Sequence, residues 1–204
     1  MMTDRDRKVV KAVGDHRALT REQIQYLFFP SEYTTWRRIS KELQPNKYLS
    51  DEFRMGINGR GKSKKVYRLD KEGKKLYQEL TGERYKTPRW NYNYIPHLLE
   101  TNWLLIKLGI KDFELEYKID HVKMDAYFDN IAVEVDLSES ETRKEIMSKI
   151  KNYEKIYKYR KIPQKIIWYS NRAKKLKEWI GKTNISCLYV RRKHESVEKL
   201  KSAI

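Results

Sequence analysis

One stretch decides the fold of the second half of this chain: Val122-Lys-Met-Asp-Ala-Tyr-Phe128-Asp-Asn-Ile131-Ala-Val-Glu-Val-Asp-Leu137. Apolar and polar residues alternate on both sides of Asp129-Asn130, a pattern typical of two strands joined by a two-residue turn. The register that follows makes one face wholly apolar, with the pairs Phe128–Ile131, Ala126–Val133, Met124–Val135 and Val122–Leu137. The opposite face carries the pairs Tyr127–Ala132, Asp125–Glu134 and Lys123–Asp136.

Asp125 and Glu134 are thus expected directly opposite each other. Two carboxylates in that position repel each other unless a cation compensates. Magnesium is one such cation, because it takes a few carboxylate oxygens together with water and phosphate oxygens. The alternative is a solvated outer face on which Lys123 and neighbouring lysines relieve the repulsion. The pattern alone leaves both open.

Composition indicates a folded protein with an anionic partner. The 204 residues leave room for one large domain or two compact ones, and 39% hydrophobic and 12% aromatic residues argue against a disordered tail. Forty-five Lys and Arg against 28 Asp and Glu leave a net charge of +17, which favours nucleic acid or an anionic membrane surface. No apolar run approaches the roughly 18 residues of a membrane helix, and the N-terminus lacks the apolar core of a signal peptide. We therefore expect a cytoplasmic protein without a membrane partner.

The sequence divides near Thr81 to Trp90, a stretch with a Gly, a Pro and no apolar period. We predict an N-terminal domain over residues 1–84 and a C-terminal domain over residues 85–204. In the first, a capping box at Thr20-Arg-Glu-Gln23 predicts the start of a second helix, and Ser31 caps a third. The buried stripe expected for the third helix consists of Tyr33, Trp36, Ile39 and Leu43.

A hairpin with a Gly-rich basic tip at residues 56–65 and a helix over residues 70–80 complete this half. This order of elements resembles a winged helix-turn-helix over roughly residues 5 to 81. In that class the third helix enters the major groove, which makes Thr34, Thr35, Arg37, Arg38 and Lys41 candidate DNA-contacting residues. The wing would neutralise flanking phosphates through Arg60, Lys62, Lys64 and Lys65. A merely solvated helix face and a protein-binding winged helix remain alternatives.

In the C-terminal half, strands alternate with helices, which favours a mixed sheet flanked by helices and an α/β (α+β overall) chain. A helix is expected over residues 94–108, and Ser138 is expected to cap a long helix over about residues 139–160. Asp125, the Glu134-Val-Asp136 triplet and the long helix after them resemble the restriction-endonuclease-like PD-(D/E)xK superfamily. That resemblance implies Asp125, Glu134 and Asp136 as catalytic residues, with Asp125, Glu134 and Glu100 as ligands of a magnesium ion.

This sequence departs from the motif of that superfamily at two positions, the proline before the aspartate and the lysine that ends the triplet. Met124 stands where the proline is expected, and Asp136 stands where the triplet should end in lysine. Lys149 on the following helix is the best-placed substitute for the lysine, and Lys144 is the next. Its role would be to stabilise the charge of the reacting phosphate.

Between Glu141 and Lys177, 13 Lys or Arg stand against three Glu, with Tyr153, Tyr157 and Tyr159 interleaved. This imbalance favours a surface that tracks a nucleic-acid backbone, and a soluble basic face is the alternative.

The whole layout resembles the replication-relaxation family of plasmids and related mobile elements, over about residues 5 to 180. The resemblance rests on Tyr67-Arg-Leu-Asp-Lys-Glu-Gly73, His97, Asp125, Glu134-Val-Asp136 and Lys149 to Tyr153. It implies a DNA-binding protein that acts in replication or DNA processing. A metal-dependent DNA endonuclease and a transcriptional regulator are the competing functions. A homodimer also stays open, because winged helices often read paired half-sites.

Overall fold

The computed structural model describes residues 2–55, 64–89, 91, 94–137, 141–181, 183–190 and 204. The chain forms two compact units, Met1–Trp103 and Leu104–Ile204. Together they make a mixed α/β protein, as the alternation of strands and helices predicts. The boundary of the units lies within a helix, and the predicted division after residue 84 stays a prediction.

The first unit is mainly helical and contains a small antiparallel sheet. Its elements are α1 (Asp4–Asp15), β1 (Leu19–Thr20), α2 (Arg21–Phe28), α3 (Glu32–Arg38), a π-helical turn (Ile39–Leu43), β2 (Leu49–Met55), β3 (Lys64–Leu69), α4 (Lys71–Thr81) and α5 (Tyr94–Leu108), which continues into the second unit. The sheet order is β1-β3-β2. Strand β1 is too short to produce an alternation in the sequence, so the sequence did not predict it.

Short-range capping determines where α2 and α3 begin. The Thr20 hydroxyl accepts a hydrogen bond from the backbone N–H of Gln23, and the Gln23 side chain accepts one from the backbone N–H of Thr20. This confirms the predicted capping box. Ser31 likewise accepts a hydrogen bond from the backbone N–H of Thr34 and caps α3 as predicted.

The predicted buried stripe of α3 is wrong in its first half. Tyr33 and Trp36 are 64% and 43% exposed, whereas Ile39 and Leu43 are buried as expected. Thr35 takes the inward position instead, so the buried face steps by four residues through Thr35, Ile39 and Leu43. The Thr35 hydroxyl can be buried because it donates a hydrogen bond to the carbonyl oxygen of Ser31 at 2.8 Å.

A close backbone contact explains the glycine at the end of Tyr67-Arg-Leu-Asp-Lys-Glu-Gly73. Asp70 caps α4, and Gly73 in its first turn lies against the carbonyl group of Tyr48. A Cβ atom at position 73 would lie 2.0 Å from that carbonyl oxygen. Only glycine therefore fits there without a shift of the backbone.

The second unit is built around a mixed sheet. Its elements are β4 (Glu114–Leu115), β5 (Lys118–Ile119), β6 (Val122–Lys123), β7 (Ala126–Phe128), β8 (Ile131–Asp136), α6 (Arg143–Arg160), β9 (Lys165–Ser170), α7 (Ala173–Ile180) and β10 (Ser186–Val190). Within the described residues, five strands form the sheet in the order β10-β9-β8-β7-β4. Strands β10, β9 and β8 are parallel, β7 pairs antiparallel with β8, and β4 pairs antiparallel with β7.

The predicted hairpin register holds only near the turn. Phe128–Ile131, Tyr127–Ala132 and Ala126–Val133 pair as expected. The pairs Met124–Val135 and Val122–Leu137 do not form, because the backbone N–H of Met124 bonds to Tyr117 and β6 pairs with β5. Lys123 also pairs with Glu116 rather than lying opposite Asp136.

Helix α6 covers the core of the second unit with the buried side chains of Ile146, Ile150, Tyr153 and Ile156. It begins at Arg143, with Thr142 as its cap in a capping box with Glu145, and not at residue 139. The predicted cap Ser138 lies outside the described residues.

Candidate functional site

The carboxylates of β8 lie in the interior of the second unit. Every residue of Ile131–Asp136 is buried, with Glu134 only 1% exposed and Asp136 only 6%. Strand β8 lies between β9 and β7 in the sheet, and α6 packs over the face that carries Ala132 and Glu134. The solvated outer face considered from the sequence is therefore wrong.

Glu134 is held by two side chains from α6. The Lys149 ammonium lies 2.5 Å from Glu134 Oε2, and the Tyr153 hydroxyl donates a hydrogen bond to Glu134 Oε1. The spacing of four residues places Lys149 and Tyr153 on the same face of α6. The structure thus brings together Glu134 and Lys149, as the resemblance to the endonuclease superfamily implies, and adds Tyr153.

The pKa values of this cluster reflect burial and charge pairing. Burial raises the pKa of Glu134 to about 7, against the opposing effect of the Lys149 charge. Burial lowers the pKa of Lys149, but the charges of Glu134 and Asp125 outweigh that effect and hold it above its usual range. Burial and the nearby Glu134 also raise the pKa of the Tyr153 hydroxyl well above its usual value.

Asp125 lies just before β7 and contacts β8 through its side chain. Its Oδ2 accepts a hydrogen bond from the backbone N–H of Val135 at 2.7 Å, and its own N–H donates to the carbonyl oxygen of Val133. Asp125 thus lies beside Glu134, and its negative charge contributes to the raised pKa of Glu134.

Asp136 has partners that sequence reasoning did not identify. Its Oδ2 accepts hydrogen bonds from Ser170 Oγ at 2.7 Å and from Arg172 Nε at 2.6 Å. The parallel register of β8 with β9 sets Asp136 beside Ser170, and Arg172 follows two residues later. The sequence offered only a weak signal, a serine at the end of β9 and an arginine two residues later. These residues point to Asp136 only when β9 is known to pair in parallel with β8.

These contacts decide how well the site fits a magnesium ion. Each oxygen of Glu134 and the Oδ2 atoms of Asp125 and Asp136 already accept hydrogen bonds from protein groups. Across the part of the chain that the structure describes, no group of three or more His, Cys, Asp or Glu residues is placed to hold a metal ion. Glu100, the third predicted ligand, belongs to α5 in the first unit. The side chains as arranged do not fit magnesium, and the magnesium site stays a prediction.

The candidate DNA-contacting residues of the first unit fall into two groups. Thr34 and Arg37 on α3, and Lys41 in the turn after it, are exposed. Thr35 is buried, so its expected exposed position is wrong. Arg38 donates to Asp6 through Nε at 2.7 Å and also through its terminal NH2 group. Because the Asp6 side chain is only 1% exposed, Arg38 anchors α3 to the start of α1.

The base of the hairpin carries two further candidates. Lys64 pairs with Glu22 of α2, and Lys65 pairs with Asp51 of β2, each at 2.7 Å. Exposed ion pairs of this kind are weak, so both ammonium groups can exchange a carboxylate for a phosphate. Arg60 and Lys62 lie outside the described residues, and their role stays a prediction.

Comparison with known proteins identifies the family. Among the described residues, no helix is long and apolar enough to cross a membrane. No curated protein and no solved structure matches the chain. The sequence model of the replication-relaxation family matches residues 10–167, which run from the second half of α1 through the hairpin of the first unit to β8 and α6 of the second. The chain therefore belongs to the replication-relaxation family.

Proposed function

We propose that this protein binds DNA of a plasmid or related mobile element and acts in its replication or processing. The observation that carries the proposal is that α3 has one side attached to the rest of the first unit and another side exposed. Arg38 ties the helix to Asp6 of α1 and Thr35 is buried, while Thr34, Arg37 and the following Lys41 are exposed. A fixed helix with a cationic and hydroxyl-bearing outer face suits insertion into the major groove.

The order of elements in the first unit supports the same proposal. The first unit has a helix, a short strand, two helices and a hairpin, with β1 pairing to β3, which is the order expected of a winged helix-turn-helix. Lys64 and Lys65 at the base of the hairpin would then contact the phosphates beside the groove.

For the second unit we propose an endonuclease-like fold that grips DNA without cleaving it. Its support is the cluster around Glu134, where Lys149 and Tyr153 occupy both carboxylate oxygens. A metal ion would have to displace the Lys149 ammonium, which already supplies the positive charge that a buried carboxylate requires.

Fluorescence anisotropy with labelled duplexes from the element's origin region and from its promoters tests site-specific binding. We expect Arg37→Ala/Lys41→Ala to weaken binding to the preferred duplex by about tenfold or more, since each lost base or phosphate contact is worth about 1 kcal/mol or more. Arg84→Ala/Lys86→Ala is the matched control, because both residues are exposed and lie outside α3. Equal affinity in the α3 variant and this control would refute the role of α3. Preference for promoters over the origin region would indicate a transcriptional regulator.

Incubation of supercoiled DNA with the protein and magnesium, manganese or a chelator tests the second unit. We expect no metal-dependent nicking by the wild-type protein. Nicking that requires the metal and disappears in Asp125→Ala/Glu134→Ala would instead establish a nuclease at this cluster.

A further inference from the structure

An open groove with a volume of about 570 Å³ runs along the C-terminal half of α6 in the second unit. We call it the lysine groove, since Lys151, Lys155, Lys158 and Lys161 contribute four of its lining residues. Tyr157, Glu154 and Asn184 complete the lining. It lies on the outer side of α6, whereas Lys149 and Tyr153 turn inward toward Glu134.

The four lysines carry positive charge that the protein does not neutralise locally. All four are exposed, and within the described residues none of them forms a salt bridge with a carboxylate. Glu154 is the one acidic residue of the lining, and its Oε1 accepts a hydrogen bond from the backbone N–H of Asn184 at 3.2 Å. That carboxylate therefore fastens α6 to the segment before β10 and offsets only part of the lysine charge.

The spacing of the lysines matches a repeating anion. Lys151, Lys155 and Lys158 follow each other at intervals of four and three residues, so they form one stripe along the helix. At a rise of 1.5 Å per residue, the stripe is about 10 Å long. One DNA strand presents a phosphate about every 3.4 Å of helix axis, so the stripe spans about three phosphates.

We propose that the lysine groove is a second DNA-contact surface, which binds the phosphate backbone without reading the sequence. The proposal rests on the proposed function, DNA binding, and identifies the surface with which the second unit would grip DNA. Lysine ammonium groups are point charges that attract phosphates but do not distinguish bases. A concave groove also suits a backbone that projects into it, whereas a flat anionic membrane contacts surfaces that protrude.

The salt dependence of binding tests the proposal in the full-length protein. The variant Lys151→Gln/Lys155→Gln/Lys158→Gln removes three charges from the groove and is compared with Lys111→Gln/Lys118→Gln/Lys174→Gln, three exposed lysines that do not line it. Affinity for a duplex of random sequence is measured from 50 to 200 mM salt. Each phosphate contact contributes about 0.9 to the slope of log K against log salt, so we expect the groove variant to lose about 2.7 from this slope. The slope of the control variant should fall by less than about 0.9, the contribution of one phosphate contact.

Protection of lysines from acetylation provides a readout that does not depend on variants. We expect DNA to protect Lys151, Lys155 and Lys158 in the wild-type protein and to leave Lys111 and Lys118 reactive. An unchanged salt slope in the groove variant, or equal acetylation with and without DNA, would overturn the proposal. Binding of the groove to vesicles of anionic lipid in preference to DNA would overturn it as well.

The two proposals fail in different ways. If the wild-type protein binds no DNA, the proposed function fails. If the Arg37→Ala/Lys41→Ala variant loses site preference while the groove variant keeps the full salt slope, only the lysine groove is refuted.

Discussion

Replacing Lys149 with methionine removes the cation that pairs with Glu134 in the interior of the second unit. Methionine is unbranched and of similar length, so the main change is the loss of the ammonium group, which lies 5.7 Å from the centre of the Trp168 ring. Without the ammonium, Glu134 must stay ionised in an apolar environment or take up a proton. Because its pKa is already raised to about 7 with Lys149 present, loss of Lys149 raises it further.

The size of the effect therefore depends on pH. Above pH 7 the folded variant holds a proton on Glu134 that the unfolded chain has released. The free energy of unfolding then falls by about 1.4 kcal/mol for each pH unit, relative to the wild-type protein. Between pH 7 and pH 9 the additional loss is about 2–3 kcal/mol. The total loss of unfolding free energy has an upper limit of about 3–5 kcal/mol, which is the cost of leaving a buried charge without its partner.

Urea unfolding at pH 7, 8 and 9, followed by tryptophan fluorescence, measures this difference. Lys144→Met is the matched control, because Lys144 lies on the same helix but is exposed. We expect the control to follow the wild-type protein at every pH. A Lys149→Met variant whose stability changes with pH no more than that of the control would refute the pairing of Lys149 with Glu134.

Three further predictions concern the first unit. Arg38→Ala should lower the free energy of unfolding by about 1–3 kcal/mol, because Asp6 loses its cation but keeps its hydrogen bonds from Thr3. The neighbouring Arg37→Ala should change it by less than about 0.5 kcal/mol, and thermal melts compare the two variants. Burial holds the pKa of His16 at about 4, so the unfolded chain binds the extra proton and stability should fall by up to about 3 kcal/mol as the pH drops from 6.5 to 4. Urea unfolding at both pH values should show that His16→Gln abolishes this loss. Gly73→Ala should cost about 1–3 kcal/mol in the same assay, since the added Cβ meets a backbone carbonyl.

Each of these predictions has a result that would contradict it. Equal melting temperatures for Arg37→Ala and Arg38→Ala would show that Arg38 does not anchor α3. A His16→Gln variant as sensitive to acid as the wild-type protein would place the acid-sensitive group elsewhere. A Gly73→Ala variant with wild-type stability would mean that α4 does not lie against the Tyr48 carbonyl.

Predictions from the sequence succeeded where structure depends on neighbours within a few residues. The capping box at Thr20, the cap at Ser31, the turn at Asp129-Asn130 and the range of α5 are all local patterns. The predicted stripe of α3 failed because Tyr33 and Trp36 were assigned to the core by their apolar character alone. Which side of a seven-residue helix is buried depends on what packs against it, and Thr35 could take the inward position by bonding to the Ser31 carbonyl.

By itself, then, the sequence determined the charge of the protein, the order of its helices and longer strands, and the local signals that start several of them. Only the tertiary structure decided which charges meet. Lys149 reaches Glu134 because α6 packs over β8, and Arg172 reaches Asp136 because β9 pairs in parallel with β8. The regular ladder ends at Ala126–Val133, so Asp125 and Glu134 do not form the regular pair expected from a simple hairpin. Asp125 nevertheless lies beside Glu134, because it bonds to Val133 and Val135 of β8. The physical reason is that burying a charge without a partner costs several kcal/mol. The packing that buries a charge must therefore also bring a partner to it, and that packing joins residues far apart in the sequence.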